Sequence, residues 1–261
     1  MLFFKRISSG TRIAWCSCKP KVTTVIDTNP TLEQIVTANP GAAEVFVRHG
    51  LDFCYRGQRS LDEACKEAGI DVRTVAAELS AVRSDSPDER GWSDRPLAEI
   101  VDHIIERYHD TLRRDLPLLI ALARKVEETH ADRPTRPVGL AEQLERIHAA
   151  VENHLTKEEG ILFPLIRAGR GDTTYVPINL MTREHEDHGE SLRRMRALAH
   201  DFVAPEDACA SWRRLYRSLA RLEAEFWRHI HLENYVLFPR ALQAAGFISQ
   251  DSTGTTIRST R

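Results

Sequence analysis

The sequence lacks any long hydrophobic run and has almost no excess charge. Its 261 residues are 42% hydrophobic and 28% charged, with a formal net charge of −2. A membrane-spanning helix needs roughly twenty consecutive apolar residues, and nucleic-acid binding usually needs an excess of basic residues. Because the chain has neither, we expect a globular protein that neither crosses a membrane nor binds nucleic acid.

Paired cysteines are also missing. The five cysteines are scattered and include no C-x2-C pair: Cys16, Cys18, Cys54, Cys65 and Cys209. An odd, scattered set argues against a disulfide framework and favours a reducing compartment.

The two ends of the chain are unlike its middle. Residues 1–26 contain no acidic residue and lack the apolar core of a secretory signal. We expect a disordered basic leader, with a transit peptide or an over-long start as the alternatives. Residues 244–261 are rich in Ser, Thr and Gly, and we expect a disordered tail there.

Helical signals fill the region between these ends, and no segment shows the period-2 alternation of a strand. Capping boxes at Thr31–Gln34 and Ser60–Glu63 predict a small helical domain over 27–83. A polar stretch containing Pro and Gly, 84–96, reads as a linker. Beyond it lie four amphipathic patterns, which predict an all-α, antiparallel four-helix bundle over 97–243: roughly 96–128, 139–169, 177–203 and 207–243.

One motif occurs twice, late in the second and fourth predicted bundle helices. The pattern H-x3-E-x3-L-F-P describes both His154–Pro164 and His229–Pro239. A His and a Glu four residues apart lie on one face of a helix, one turn from each other. Two such helices placed face to face would direct two imidazoles and two carboxylates to one place, which predicts a metal site.

The predicted buried stripes decide which histidines matter. A bundle helix buries residues at alternating steps of three and four, and each stripe then contains at least one His. His103, His148 and His231 fall off the stripes. The stripes are Ile105, His109, Leu112, Leu116, Leu119 and Ala123; Leu144, Ile147, Val151, His154, Glu158, Ile161 and Leu165; Ile178, Met181, His185, His188, Leu192 and Met195; and Leu215, Leu219, Leu222, Phe226, His229, Glu233 and Val236.

Two acids in this predicted core favour bound cations. A lone core His usually needs only one hydrogen bond, but an unpaired carboxylate in a dry core costs several kcal/mol or stays protonated. Nitrogen and oxygen donors without thiolate favour non-haem iron, manganese or catalytic zinc, and imidazole-rich ligation points to iron. Six donors suit two ions bridged by Glu158 and Glu233, with four terminal ligands: His109, His154, His185 and His229.

The chain also resembles a known family. Residues 97–243 look like a hemerythrin-like domain, and the segment Pro96–Ile105, Tyr108-His109, His130-Ala-Asp and the two repeated motifs are similar to the iron–sulfur cluster repair di-iron (RIC) family. That family has a short N-terminal ScdA-type domain marked by a Cys-Cys pair. Here the matching place reads Cys54-Tyr55, so one thiol is missing; Cys54 is either a redox thiol or a cysteine packed under a loop.

The resemblance implies the same six ligands, which hold an oxo- or hydroxo-bridged pair of iron ions. His130 matches a family His near the site and is assigned a second-shell or structural role. His188 is an additional core His, interpreted as a second-shell donor rather than an alternative ligand.

The resemblance further implies a cytoplasmic stress protein that restores iron–sulfur clusters damaged by nitric oxide or peroxide. Its partners would be damaged iron–sulfur proteins, with NO or O2 as small ligands and an electron donor that the sequence does not define. Iron donation and enzymatic NO reduction both stay open, as does the oligomeric state, with which a homodimer is compatible. Two rivals are a hemerythrin-like protein that binds or senses O2 or NO reversibly, and a metal-free helical scaffold.

Overall fold

The computed structural model describes residues 29–39, 41–53, 56–82, 92, 94–244, 248–250 and 256–258. The expected leader over 1–26, most of the expected linker over 84–96, and Cys54 lie outside these residues.

The N-terminal helices begin where the sequence predicts. In both expected capping boxes the cap hydroxyl accepts a hydrogen bond from a backbone N–H, and the third residue's side chain accepts one from the cap's own N–H. A carboxylate caps the fourth helix by accepting from the Arg73 N–H. The helices are α1 (Leu32–Ala38), α2 (Ala42–Arg48), α3 (Leu61–Ala68) and α4 (Val72–Ala81).

Four longer helical rods follow, and three of them contain a π-helical turn. In each of those turns an N–H bonds to the carbonyl five residues back instead of four. The first rod is α5 (Leu97–Ile104), a π turn (Ile105–His109) and α6 (Asp110–Thr129). The second is α7 (Leu140–Lys157), a π turn (Glu158–Leu162) and α8 (Phe163–Arg167), and the third is α9 (Gly171–Leu198), followed by a 3₁₀ turn (His200–Phe202). The fourth is α10 (Ala210–Leu232), a π turn (Glu233–Leu237) and α11 (Phe238–Ala244).

Polar contacts between successive rods show that they run antiparallel. Arg113 pairs with Glu159, whereas Arg124, further along α6, pairs with Glu145, which lies earlier in the second rod. The third and fourth rods are related in the same way, because the Arg196–Glu223 and His185–Asn234 contacts run in opposite chain directions. The predicted all-α four-helix bundle is therefore confirmed.

The π turns shift the buried face of the helix by one residue. The stripe predicted that Ile161 would be buried, but Ile161 is 55% exposed and Leu162 is buried instead. At the start of the first rod, Ile104 is buried where Ile105 was predicted. A π turn contains one extra residue, so a count in steps of three and four goes out of register across it. The same shift appears after the π turns of the second and fourth rods, where Ile166 and Leu237 are buried and the predicted Leu165 and Val236 are only half-buried. The prediction was wrong at these four positions and holds at the other positions of the stripes.

Two further boundaries differ from the sequence expectation. The third rod begins at Gly171 and continues through Pro177, although a proline in the second turn of a helix removes a backbone hydrogen bond. Within the expected disordered tail, Ile248–Gln250 and Thr256–Arg258 form a short antiparallel strand pair. β-branched Ile and Thr favour strands. The expectation of disorder rested on the overall Ser, Thr and Gly content of the tail and did not weigh this local preference.

The N-terminal helices pack on the fourth rod of the bundle. Trp227 of α10 belongs to the same hydrophobic cluster as the N-terminal core, and its ring centroid lies 5.9 Å from that of Phe53. The Tyr235 hydroxyl donates to the Phe53 carbonyl at 3.3 Å, and Arg193 pairs with the buried Asp52 at 2.7 Å. Within the described ranges, none of the helices combines the length and the apolarity that crossing a bilayer would demand.

We predict that Trp227→Ala weakens this packing. Loss of a buried aromatic ring typically costs about 3–5 kcal/mol of unfolding free energy, and it should also expose the 29–82 segment to protease. Urea unfolding and limited proteolysis measure both effects. Tyr175→Ala is the control, because Tyr175 is 45% exposed; equal destabilisation by the two substitutions would contradict the packing described.

Candidate metal centre

Six buried side chains from all four rods meet inside the bundle. They form two groups, and within each group the candidate ligand atoms lie within 4.8 Å of one another. Both groups contain Glu158 and Glu233, and none of the six side chains is more than 3% exposed. The groups are His109, Glu158, His229 and Glu233, and His154, Glu158, His185 and Glu233.

The π turns place these side chains. His109 ends the π turn of the first rod, while Glu158 and Glu233 each begin one. π turns inside α-helices frequently occur at functional sites because they re-aim side chains. Here each π turn begins or ends at a candidate ligand.

In each group two imidazole nitrogens face each other. The Nε2 atoms of His109 and His229 are 3.2 Å apart, and those of His154 and His185 are 3.1 Å apart. Outer partners fix which nitrogen carries the proton, because the Nδ1–H groups of three of these rings donate to oxygen acceptors. The acceptors are Glu159 for His109 at 2.8 Å, Glu184 for His154 at 3.0 Å, and Asn234 for His185 at 2.9 Å.

With Nδ1 as the donor, Nε2 of each of these rings would carry, in the neutral form, a lone pair directed into the centre. Between His154 and His185 two such lone pairs would face each other, and two lone pairs cannot form a hydrogen bond. A cation between them would accept both, as metal ions do from neutral imidazole.

The carboxylates are ionised although burial opposes it. Burial disfavours the charged form of Glu158, but the neighbouring His154 and His109 hold its pKa well below the usual value. For Glu233, burial and the Glu158 charge raise the pKa, and His229 and His185 outweigh them and lower it. The converse holds for His154: burial lowers its pKa, but Glu158 raises it to about 9. Protons and metal ions therefore compete for the same lone pairs.

Several acid oxygens have no hydrogen-bond partner, which tests whether the site fits a metal. Both oxygens of Glu158 and one of Glu233 are buried and accept no hydrogen bond. The Glu158 oxygens lie 3.4 Å from the Nε2 atoms of His109 and His154, without hydrogen-bond geometry. A buried polar atom left unpaired costs about 1–3 kcal/mol, and more if it is charged. Protonated imidazoles would neutralise the charge but leave these oxygens unpaired. Metal ions would both neutralise the charge and bind the oxygens, so the residues fit a metal centre.

His188 lies beside this centre but belongs to neither group. Its ring meets that of His154 edge-on at 4.9 Å and packs on Phe226 at 5.5 Å, and its Nε2 has no hydrogen-bond partner. Burial, followed by the neighbouring His154 and His185, lowers its pKa to about 2, so the ring is neutral. Its second-shell role stays a prediction.

His130 lies away from the centre, so the second-shell role assigned to it is wrong. It follows the last residue of α6, and one helix length of roughly 30 Å separates it from His109. Its Nε2 lies 3.2 Å from the Cys209 Sγ, and its ring packs on Trp212 at 4.9 Å. The alternative structural role fits this position. Cys54, the candidate redox thiol, lies outside the described residues.

The histidines excluded from the stripes are also outside both groups. His103 packs on Trp92 and Tyr108, and His148 lines a shallow surface groove. His231 is buried, which the sequence did not indicate, because Phe53 of the N-terminal region and Tyr235 pack against it.

The residues that orient the imidazoles were not predicted from the sequence. Each is the immediate chain neighbour of a candidate ligand on a different rod. Glu159 follows Glu158 and holds His109, Glu184 precedes His185 and holds His154, and Asn234 follows Glu233 and holds His185. A polar residue next to a predicted ligand in the sequence is the signal that could have identified them.

A four-helix bundle with an interior His/Glu cluster defines a hemerythrin-like metal protein. Residues 100–241 match the Hemerythrin HHE cation binding domain family. Residues 28–83 match ScdA_N, described as a domain of unknown function, DUF542.

Several curated proteins resemble about four-fifths of the chain. An iron-sulfur cluster repair protein YtfE of Citrobacter koseri is 41% identical over 211 residues, which cover 81% of this chain and 96% of the relative. Proteins of the same name from Escherichia coli O8 and Shigella boydii serotype 4 are each 40% identical with the same coverage. The chain therefore belongs to the hemerythrin HHE family and, within it, to the family of the YtfE proteins.

We predict that Glu159→Ala lowers the affinity of the centre for a divalent metal. Loss of a partner that orients a metal-binding His typically costs about 10–100-fold in affinity. Glu152→Ala is a matched control, because Glu152 also pairs with Arg113 but does not contact His109. Chelator competition measures both affinities, and equal losses in the two variants would show that Glu159 does not act through His109.

Proposed function

We propose that this protein is a di-iron protein that repairs iron–sulfur clusters damaged by nitrosative or oxidative stress. The observation that carries the proposal is the pair of buried His/Glu groups sharing Glu158 and Glu233. The naming of its relatives as iron-sulfur cluster repair proteins supports the reaction class. Damaged iron–sulfur proteins are then the partners.

The donor set favours iron over the other candidates. Four imidazoles, two carboxylates and no thiolate suit a hard or borderline ion with exchangeable positions. We propose one ion in each group, with His109 and His229 on one and His154 and His185 on the other. The two glutamates common to both groups would each serve both ions, and an oxygen from solvent would complete the centre. When bound, the irons supply either labile ferrous iron for a damaged cluster or electrons for the reduction of NO.

The protein's own side chains would prepare this centre. Glu159, Glu184 and Asn234 fix three imidazoles with Nε2 inward, and Arg113 in turn holds Glu159 at 2.8 Å. Glu184 is also paired with Lys157. These outer groups are only partly buried, so solvent reaches the second layer of the site but not the first.

Domain boundaries and compartment are part of the proposal. We place the N-terminal domain at 27–83 and the bundle at 97–243, joined by a linker at 84–96, and the family matches over 28–83 and 100–241 support this division. Cys65 and Cys209 are free thiols, which is compatible with the reducing cytoplasm.

Iron content tests the ligand assignment. We expect Glu158→Leu and Glu233→Leu to reduce bound iron by more than the roughly 10–100-fold affinity loss of an outer-shell change, since each removes a bridging group. His148→Ala and His103→Ala should leave iron content unchanged. Iron per chain after anaerobic loading decides the matter, and similar iron content in all four variants would reject the assignment.

A repair assay tests the function. We expect the ferrous protein to restore the activity of a [4Fe–4S] dehydratase previously inactivated by NO, while the Glu158→Leu variant should not. Loss of iron from the protein in step with recovery would indicate donation, and N2O formation without iron loss would indicate NO reduction.

Reversible O2 or NO binding is the alternative function, and the near-complete burial of all six candidate ligands favours it. Stopped-flow mixing with O2 separates the two. A stable spectrum that reverses when O2 is removed would identify a carrier or sensor and contradict repair. Oxidation followed by iron release agrees with repair.

A further inference from the structure

A cavity lies between α6 and α10, outside the metal centre. Its volume is about 250 Å³, just below the range typical of small-molecule sites, roughly 300–1,000 Å³. Its apolar floor is made of leucines from both helices, which include Leu112, Leu119 and Leu222. The largely exposed Leu118 extends this apolar surface to the cavity mouth. A flat, apolar ring system would find a suitable floor here.

The cavity rim is basic. Four arginines line it together with two acids, which leaves a local charge of plus two: Arg107, Arg114, Arg214 and Arg221 against Asp115 and Glu225. Three of these arginines are already engaged, because Arg107 pairs with Glu225 at 2.7 Å, and both Arg114 and Arg221 pair with Asp115. Within the part of the chain that the structure describes, no carboxylate pairs with Arg214. Its guanidinium is therefore available for an anionic group, which arginine binds well.

Tyr108 joins this cavity to the metal centre. Its side chain lines the cavity, and its ring stacks on the imidazole of His229 with centroids 5.3 Å apart and planes 11° apart. A ring bound in the cavity would thus be separated from a candidate metal ligand by one aromatic ring. The cavity is adjacent to the centre without being part of it.

We propose that this cavity binds a planar aromatic anion, with the ring system on the leucine floor and the acidic group at Arg214. Charge and shape both point to this class. A neutral apolar ligand would leave the free guanidinium unused, and a simple inorganic anion would leave the floor uncovered. The proposal does not depend on the repair function, because binding can be measured whatever the metal centre does.

Flavin mononucleotide is the probe, since it combines a planar ring system with a phosphate. Calorimetric titration of the full-length protein should show one saturable site. Riboflavin has the same ring without the phosphate, and it should bind at least about tenfold more weakly, which corresponds to ~1.4 kcal/mol. Equal affinity for the two probes would overturn the assigned role of the arginine rim.

Variants locate the site. Arg214→Glu should weaken flavin mononucleotide binding at least about tenfold through the lost contact and the added repulsion, and Leu118→Glu should weaken both probes. Arg217→Glu is the matched control: it makes the same charge change on the same exposed helix surface, but Arg217 does not line the cavity. All three positions are exposed, so the variants should fold, which circular dichroism checks. No saturable binding to the unmodified protein, or equal affinity in the Arg214→Glu and Arg217→Glu variants, would overturn the proposal.

Discussion

Two carboxylates buried in the middle of a helical bundle impose the central constraint on this molecule. A charged group in a dry interior must be compensated or it destabilises the fold. Glu158 and Glu233 are compensated by four imidazoles converging from four different rods, and their remaining unpaired oxygens suit metal ions. The bundle therefore has two kinds of interior: an aliphatic core around residues such as Leu144 and Leu219, and a polar layer that needs cations.

The helix geometry adapts to that polar layer. A regular α-helix could keep its apolar stripe facing the core throughout, but three of the rods contain a π turn that begins or ends at a candidate ligand. Each turn directs a ligand inward and then resets which residues face the core. The same turns connect the centre to its surroundings. Tyr235, two residues after Glu233, donates to the carbonyl of Phe53, so packing of the N-terminal helices braces the turn that carries one of the shared carboxylates.

Outer contacts complete the arrangement. The residues that hold the imidazoles are chain neighbours of ligands on other rods. Each rod therefore supplies a ligand to the centre, and the second, third and fourth rods each also supply an acceptor to a ligand of the preceding rod. Such contacts between rods fix ring tautomers, which metal binding requires. Two of these acceptors, Glu159 and Asn234, occupy variable positions inside the repeated motifs.

The sequence by itself determined the helical class, the starts of the N-terminal helices, and the six side chains that converge, because amphipathic periodicity and His/Glu spacing are local properties of a helix. Only the tertiary structure decided the rest. The π turns displaced Ile161 from the core in favour of Leu162, Glu159 and Asn234 were recruited across rods, and His130 was placed beside Cys209. These outcomes depend on which rods become neighbours and on which residues along two neighbouring rods lie opposite each other. Neither is encoded in the periodicity of a single helix.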